Sequence, residues 1–139
     1  MKIIDCFMYF DEDLILDIRL NTLSEIIDKF VICEATRDHG GNEKDLNFDI
    51  NKFSKFKDKI NYIVVDDLPV HAKSEKKNWH ENHIRDQFQR NALLRGIEEF
   101  NSNDWIIISD IDEIPHPEKI KEFNIKNKYA CFLQKNFQS

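Results

Sequence analysis

The chain has 139 residues, enough for one domain with a hydrophobic core of its own. It is 41% apolar and 33% charged, with a formal charge of −6 and acids and bases mixed along its length. That balance excludes a disordered chain and a nucleic-acid binder held by a broad basic patch.

No run approaches the roughly 18 apolar residues that span a bilayer. The opening MKIIDCFMYFDED has one lysine, acids close behind it and no small-residue cleavage site, so it is not expected to be a signal peptide. Residues 2–10, KIIDCFMYF, are β-branched and aromatic enough for a buried strand. Acids at 11–13 then open a helical pattern carried by Leu14, Ile15, Ile18, Leu23, Ile26 and Ile27, running to about residue 29; acids suit the positive end of a helix dipole. Residues 30–34, FVICE, read as a second strand ending on Glu34, and TRDHGGNEKD as a polar loop. A third strand, INYIVV at 60–65, ends in Asp66-Asp67. Residues 84–100 put Ile84, Phe88, Ala92, Leu93, Ile97 and Phe100 on one helical face. A strand at 105–109 follows, and YACFL at 129–133 is expected as a last strand.

Strands alternating with helices predict an α/β domain over 1–139, with a mostly parallel sheet flanked by helices. In such sheets, ligands bind outside the carboxyl ends of the strands, and three strands here end in acids. Only Gly40, Gly41 and Gly96 occur, so neither a GxGxxG turn nor a P-loop can be written. Cys6, Cys33 and Cys131 lie in apolar stretches without metal-type spacing, which predicts buried, reduced thiols and a cytoplasmic protein.

The densest acidic cluster follows the strand at 105–109, in SDIDE. On an extended chain, residues i and i+2 point to the same side, so Asp110 and Asp112 would aim two carboxylates at one point with Ile111 turned to the core. Like charges so placed call for a cation between them. Hard oxygen ligands favour Mg²⁺ or Mn²⁺, ions that keep positions open for substrate phosphates. The competing reading is a solvated turn or helix cap before Pro115 and Pro117.

The order of short strings narrows this choice. IIDCFMYF at 3–10, DIRLNTL at 17–23, Glu34-Ala-Thr-Arg37, VVDDLP at 64–69, QRN at 89–91 and IIISDIDEIP at 106–115 together resemble glycosyltransferase family 17. The resemblance implies a GT-A type, Rossmann-like nucleotide-sugar fold, with inverting transfer of N-acetylglucosamine from UDP-GlcNAc to a glycan acceptor. It implies that Asp110 and Asp112 hold the donor diphosphate through Mn²⁺ or Mg²⁺. Glu34, Arg37, Gln89 and Arg90 fall where such folds meet the donor, and a guanidinium at Arg90 suits phosphate charge. Arg90 pairing with Asp86 one helical turn back is the plainer alternative.

Family members are longer by the same resemblance, so the chain is expected to carry the donor-binding N-terminal half. Most of the acceptor site and the general base would lie elsewhere; Asp66, Asp67 and Glu113 are present, but nothing singles one out. A non-catalytic nucleotide-sugar-binding or interaction module is therefore a rival. A D-x-D phosphohydrolase is disfavoured, since Ile114 stands where Thr or Val is usual, and a receiver domain is disfavoured because Asp66-Asp67 follows the third strand. His80-Glu81-Asn82-His83 has its histidines three apart rather than four and reads as a helix lead-in. Trp79 reads as a core or rim aromatic with sugar stacking as the alternative, and the lysine-rich 73–78 as a solvated loop. An uncapped apolar last strand would favour self-association.

Overall fold

Residues 1–70, 80–123 and 129–133 are described by a computed structural model of the chain. Strands β1 (Ile3–Met8), β2 (Lys29–Ala35), β3 (Ile60–Val65) and β4 (Trp105–Ile108) form one sheet of order β3-β2-β1-β4, with every pairing parallel. The chain builds outward from β1 through β2 to β3 and then returns to the opposite side of β1 with β4. That reversal makes a topological switch point between β1 and β4.

Alternation along the strands explains why both faces are covered. Phe7, Phe30 and Ile32 point into a core shared with helix α1 (Asp13–Leu23) and with Phe53 and Phe56. Their neighbours Ile4, Cys6, Val31 and Cys33 point the other way, against Ala92 and Leu93 at the end of helix α2 (Glu81–Ala92). The inner strands β1 and β2, buried on both faces, read as continuous apolar runs, whereas the edge strand β4 leaves Ile106 and Ile108 exposed. Each fully buried Phe, Leu or Ile contributes about 1.5–3 kcal/mol.

Several elements differ from expectation. Helix α1 stops at Leu23, where Lys59 donates to the carbonyls of Ser24 and Ile27 and so satisfies the chain just past its C-terminus. Its buried face is Leu16, Arg19, Leu20 and Leu23, while Leu14 and Ile18 are exposed. Ten residues at Ile50–Lys59 form a 3-10 segment with Phe53 and Phe56 inward. Helix α2 begins at Glu81 and tightens into a 3-10 turn at Leu93–Gly96. There a Cβ on Gly96 would lie 2.4 Å from Val31, so the chain passes close against β2. A short helix α3 (Pro117–Lys121) uses Pro117 at its start.

Residues 129–133 form no strand, and Leu133 is fully exposed. An apolar, β-prone run becomes a strand only where a neighbour offers a ladder, and no strand among the described residues is laddered to it. Cys131 falls in this segment and is exposed, whereas Cys6 and Cys33 are buried free thiols as expected. Trp79 and the lysine-rich 73–78 lie outside the described residues. No helix among the described residues is long and apolar enough to cross a membrane.

Candidate functional site

A cleft of about 640 Å³ opens at the carboxyl ends of the strands. Met8, Tyr9 and Phe10 line it from the end of β1, Ala35 from β2, and Gln89 from α2. Arg37, Asp38, His39 and Lys44 contribute from the loop after β2, and Asp110, Ile111 and Asp112 from the chain after β4. The volume is in the range that holds a small organic ligand.

Beyond β4 the chain does not stay extended. The last rung to β1 is the Ser109 N–H to the Cys6 carbonyl at 3.4 Å, and no strand continues the ladder. Instead Asp110–Glu113 closes a turn, with the Glu113 N–H donating to the Asp110 carbonyl at 2.9 Å and the Glu113 carboxylate accepting from the Asp110 N–H at 2.9 Å. The expectation of an extended D-x-D is thus corrected. Ile111 is nonetheless buried, and the exposed Asp110 and Asp112 both line the cleft.

The carboxylates of the cleft are not equivalent. Glu12 accepts from the N–H groups of Phe10 and Asp11, and Asp38 from Asn42. Asp110 accepts from Arg90 at 3.1 Å. Asp112 has no hydrogen-bond or ion-pair partner among the described residues. Arg90 also lies 3.6 Å from Asp86, so it holds both the expected helical pair and the D-x-D at once. It reaches the cleft through Asp110 rather than lining it.

The other candidates divide. Arg37 donates to the Gly41 carbonyl and to Glu43, within its own loop and on the cleft wall. Gln89 is buried, and its side-chain oxygen lies 2.9 Å from Nε2 of His39. Glu34 does not line the cleft. It is fully buried and accepts from Lys44 Nζ at 3.0 Å, Tyr62 Oη at 2.7 Å and the backbone N–H groups of Asn47 and Phe48 at 2.7 and 3.0 Å. Its geometry ties down the loop that forms the wall. Neither Asp66, Asp67 nor Glu113 lines the cleft, and Asp67 is bridged by both terminal nitrogens of Arg95 at 3.0 and 2.9 Å.

Several residues with structural roles at the site escaped sequence reasoning. Asp5 and Arg19 form a bidentate pair at 2.7–2.8 Å, both fully buried beneath the turn. Burial pushes the Asp5 carboxyl up from its ordinary range, and the bonds from Arg19 oppose it. The sequence signal was a charged residue inside the strand IIDCFM and another on the Leu16–Leu20 face of α1. Arg85, nearly buried, donates to the carbonyls of His39, Pro69 and Val70, so one guanidinium joins two loops to α2. Gly41, at φ 87°, leaves room for it; a Cβ there would meet the guanidinium at 2.6 Å. Tyr9 donates to Asp13 at 2.5 Å, and burial followed by that bond pushes its hydroxyl above the usual range, keeping it neutral.

The donor set suits a hard divalent ion. Among the described residues, no group of three or more His, Cys, Asp and Glu is arranged to hold a metal, so the chain offers two carboxylates and an ion would keep its other positions for water and ligand oxygens. An open parallel sheet with exposed carboxylates and an arginine at its switch-point cleft defines an α/β domain of the open-sheet class, in which ligands bind at that edge.

Comparison with known proteins makes that class specific. Residues 1–138 match glycosyltransferase family 17, and the chain belongs to that family. Its relatives include the beta-1,4-mannosyl-glycoprotein 4-beta-N-acetylglucosaminyltransferases of Homo sapiens and Rattus norvegicus, each 28% identical over 109 residues, and that of Mus musculus at 27%. Each match covers 73% of this chain and 19% of the relative, so the chain spans about a fifth of the length of these enzymes. No solved structure matches it.

Proposed function

We propose that the chain is the donor-binding portion of a metal-dependent, inverting glycosyltransferase that uses UDP-GlcNAc and a glycan acceptor. The observation that carries this reading is the pairing of Asp112, which lacks an internal partner among the described residues, with Asp110 in contact with Arg90 at one cleft. The N-acetylglucosaminyltransferase names of the relatives support the choice of sugar.

Asp110 and Asp112 would hold Mn²⁺ or Mg²⁺, and the bound ion would offset charge on the diphosphate leaving group. Arg90, already facing Asp110, adds a fixed positive charge beside the same phosphates. Arg37 and Gln89 stand on the cleft wall for donor contacts, and Glu34 serves them by holding the loop. In the transfer, an acceptor hydroxyl oxygen bonds to the anomeric carbon as the bond to the UDP oxygen breaks, and a base takes the hydroxyl proton.

A donor-binding module without transfer of its own is the second reading. It is favoured by the cleft carboxylates themselves: outside the Asp110 and Asp112 pair, Glu12 and Asp38 are already occupied by backbone N–H groups.

Calorimetric titration of UDP and UDP-GlcNAc with and without Mn²⁺ tests the donor site. Metal-dependent binding that disappears in Asp110→Asn/Asp112→Asn is expected. Binding that is absent from the folded wild type, or indifferent to the double substitution, rejects the assignment.

A further inference from the structure

Arg19 lies fully buried on a face of α1 otherwise made of Leu16, Leu20 and Leu23. Desolvating a guanidinium there is unfavourable, and a buried ion pair is on balance a weak source of stability that apolar side chains can replace. Fold stability is therefore a poor reason for the Asp5–Arg19 pair. Its bonds point to another. The six hydrogen bonds donated by Arg19 include two to Asp5 and four to residues 109–113. Nη2 donates to Ser109 Oγ at 2.6 Å, and Nη1 donates to the carbonyls of Asp110, Ile111 and Glu113 at 2.8, 3.1 and 3.2 Å. The Phe7 ring, 4.6 Å from the guanidinium carbon, packs against the group.

Peptide groups are planar, so a carbonyl held at one point fixes the plane that carries it and the direction of the adjoining side chains. With the Asp110 and Ile111 carbonyls turned inward to Arg19, the peptide planes on both sides of Ile111 are set. Two exposed carboxylates one residue apart repel, and an untethered turn would relax to separate them. A lone cation behind the turn would also weaken the field that draws a metal. Asp5 neutralises it through two bonds, leaving the carboxylates as the net charge facing the cleft.

We propose that Arg19, oriented by Asp5, is a positioning residue for the donor site: it aims Asp110 and Asp112 from behind their turn without touching metal or donor. The inference rests on the donor-site reading above.

The test is Mn²⁺ affinity, followed by the paramagnetic resonance of free Mn²⁺, in the wild type and in Arg19→Lys, Ser109→Ala and Leu20→Ala. Each is measured below its melting temperature, with folding verified by circular dichroism. Arg19→Lys keeps the charge but loses the planar fork, and its Mn²⁺ affinity is expected to fall about 10- to 100-fold, the range for residues that orient metal ligands. Ser109→Ala removes the bond that Ser109 Oγ accepts from Arg19 and the one it donates to the Glu113 carbonyl, and is expected to weaken binding in the same direction. Leu20→Ala opens a core cavity on the same helix face and is expected to lower the melting temperature while leaving the affinity of the folded protein unchanged.

A folded Arg19→Lys with wild-type affinity overturns the proposal and leaves the donor site standing. If Arg19→Lys does not fold, an unchanged affinity in Ser109→Ala overturns it. An affinity loss in Leu20→Ala as large as in the turn variants also overturns it, by showing that loosening α1 suffices. A wild type that binds neither Mn²⁺ nor UDP removes the donor site and the inference together.

Discussion

Arg90 faces two carboxylates, 3.6 Å from Asp86 on its own helix and 3.1 Å from Asp110 in the turn after β4. About a third of its side chain and half of that of Asp110 are exposed. Exposed pairs of this kind contribute about 0–1 kcal/mol, so Arg90→Ala should leave folding stability nearly unchanged. Its effects on ligands should run in opposite directions. In the free protein Arg90 competes with a cation for Asp110, so its loss should leave Mn²⁺ affinity equal or up to about fivefold tighter, given the worth of such a pair. On the proposed donor-site reading, an ion on Asp110 would free the same guanidinium to meet the diphosphate, and its loss should weaken UDP binding about tenfold or more. Separate titrations of Mn²⁺ and of UDP at saturating Mn²⁺ read the two signs. Weakened Mn²⁺ binding with unchanged UDP binding would make Arg90 a support for Asp110 and nothing more.

At the scale of elements, β2 delivers Glu34 to the root of the loop that walls the cleft. Four donors converge on that carboxylate, from Lys44, Asn47, Phe48 and Tyr62. Glu34→Gln would keep the volume but turn one acceptor into a donor facing N–H groups, and is expected to destabilise the fold by about 3 kcal/mol. Urea unfolding measures this, and a loss under about 1 kcal/mol would mean that the loop holds without the carboxylate. The strands were legible in the sequence because each is a run rich in β-branched and aromatic residues, in KIIDCFMYF, FVICE, INYIVV and WIIIS; β1 and β2 are buried, while the edge strand β4 keeps the same apolar run with Ile106 and Ile108 exposed. The helix faces were less so. Apolar periodicity selected Leu14 and Ile18, which are exposed, because the core position between Leu16 and Leu20 is held by Arg19, a residue that such a pattern counts as polar. The acidic cluster announced itself at a strand end, yet its turn did not, since carbonyl bonds to an arginine 91 to 94 residues earlier leave no local mark. The 3-10 segment at Ile50–Lys59 hid in lysine-rich sequence whose only apolar signal facing the core was Phe53 and Phe56. At 129–133 an apolar run misled for the opposite reason, having β propensity but no strand ladder among the described residues.

The whole molecule depends on keeping the layers on both sides of one sheet dry, and its response to alkali reports on that. Cys6 and Cys33 sit in adjacent strands on the α2 face, and burial pushes both thiols up from 9.0 to about 12. Burial also raises Tyr9 and Tyr62, reinforced by their bonds to Asp13 and Glu34. The unfolded chain loses its thiol protons near pH 9.0, whereas the folded chain retains them until about 12. Between those values the unfolded state binds fewer protons, so stability falls as pH rises; it is complete below 9.0 and lost on the way to 12. The limiting slope is about 1.4 kcal/mol per pH unit for each thiol. Urea midpoints measured between about pH 8 and 11 should therefore decline once pH passes the unfolded thiol value. Cys33→Ala should lower the starting stability through the small cavity it leaves while making the decline shallower. The two effects separate because a cavity shifts the whole profile and a titrating group changes its slope. An equal slope in Cys33→Ala and wild type would show that the Cys33 thiol ionises as readily in the folded chain as in the unfolded one, and that water reaches the α2 face of the sheet.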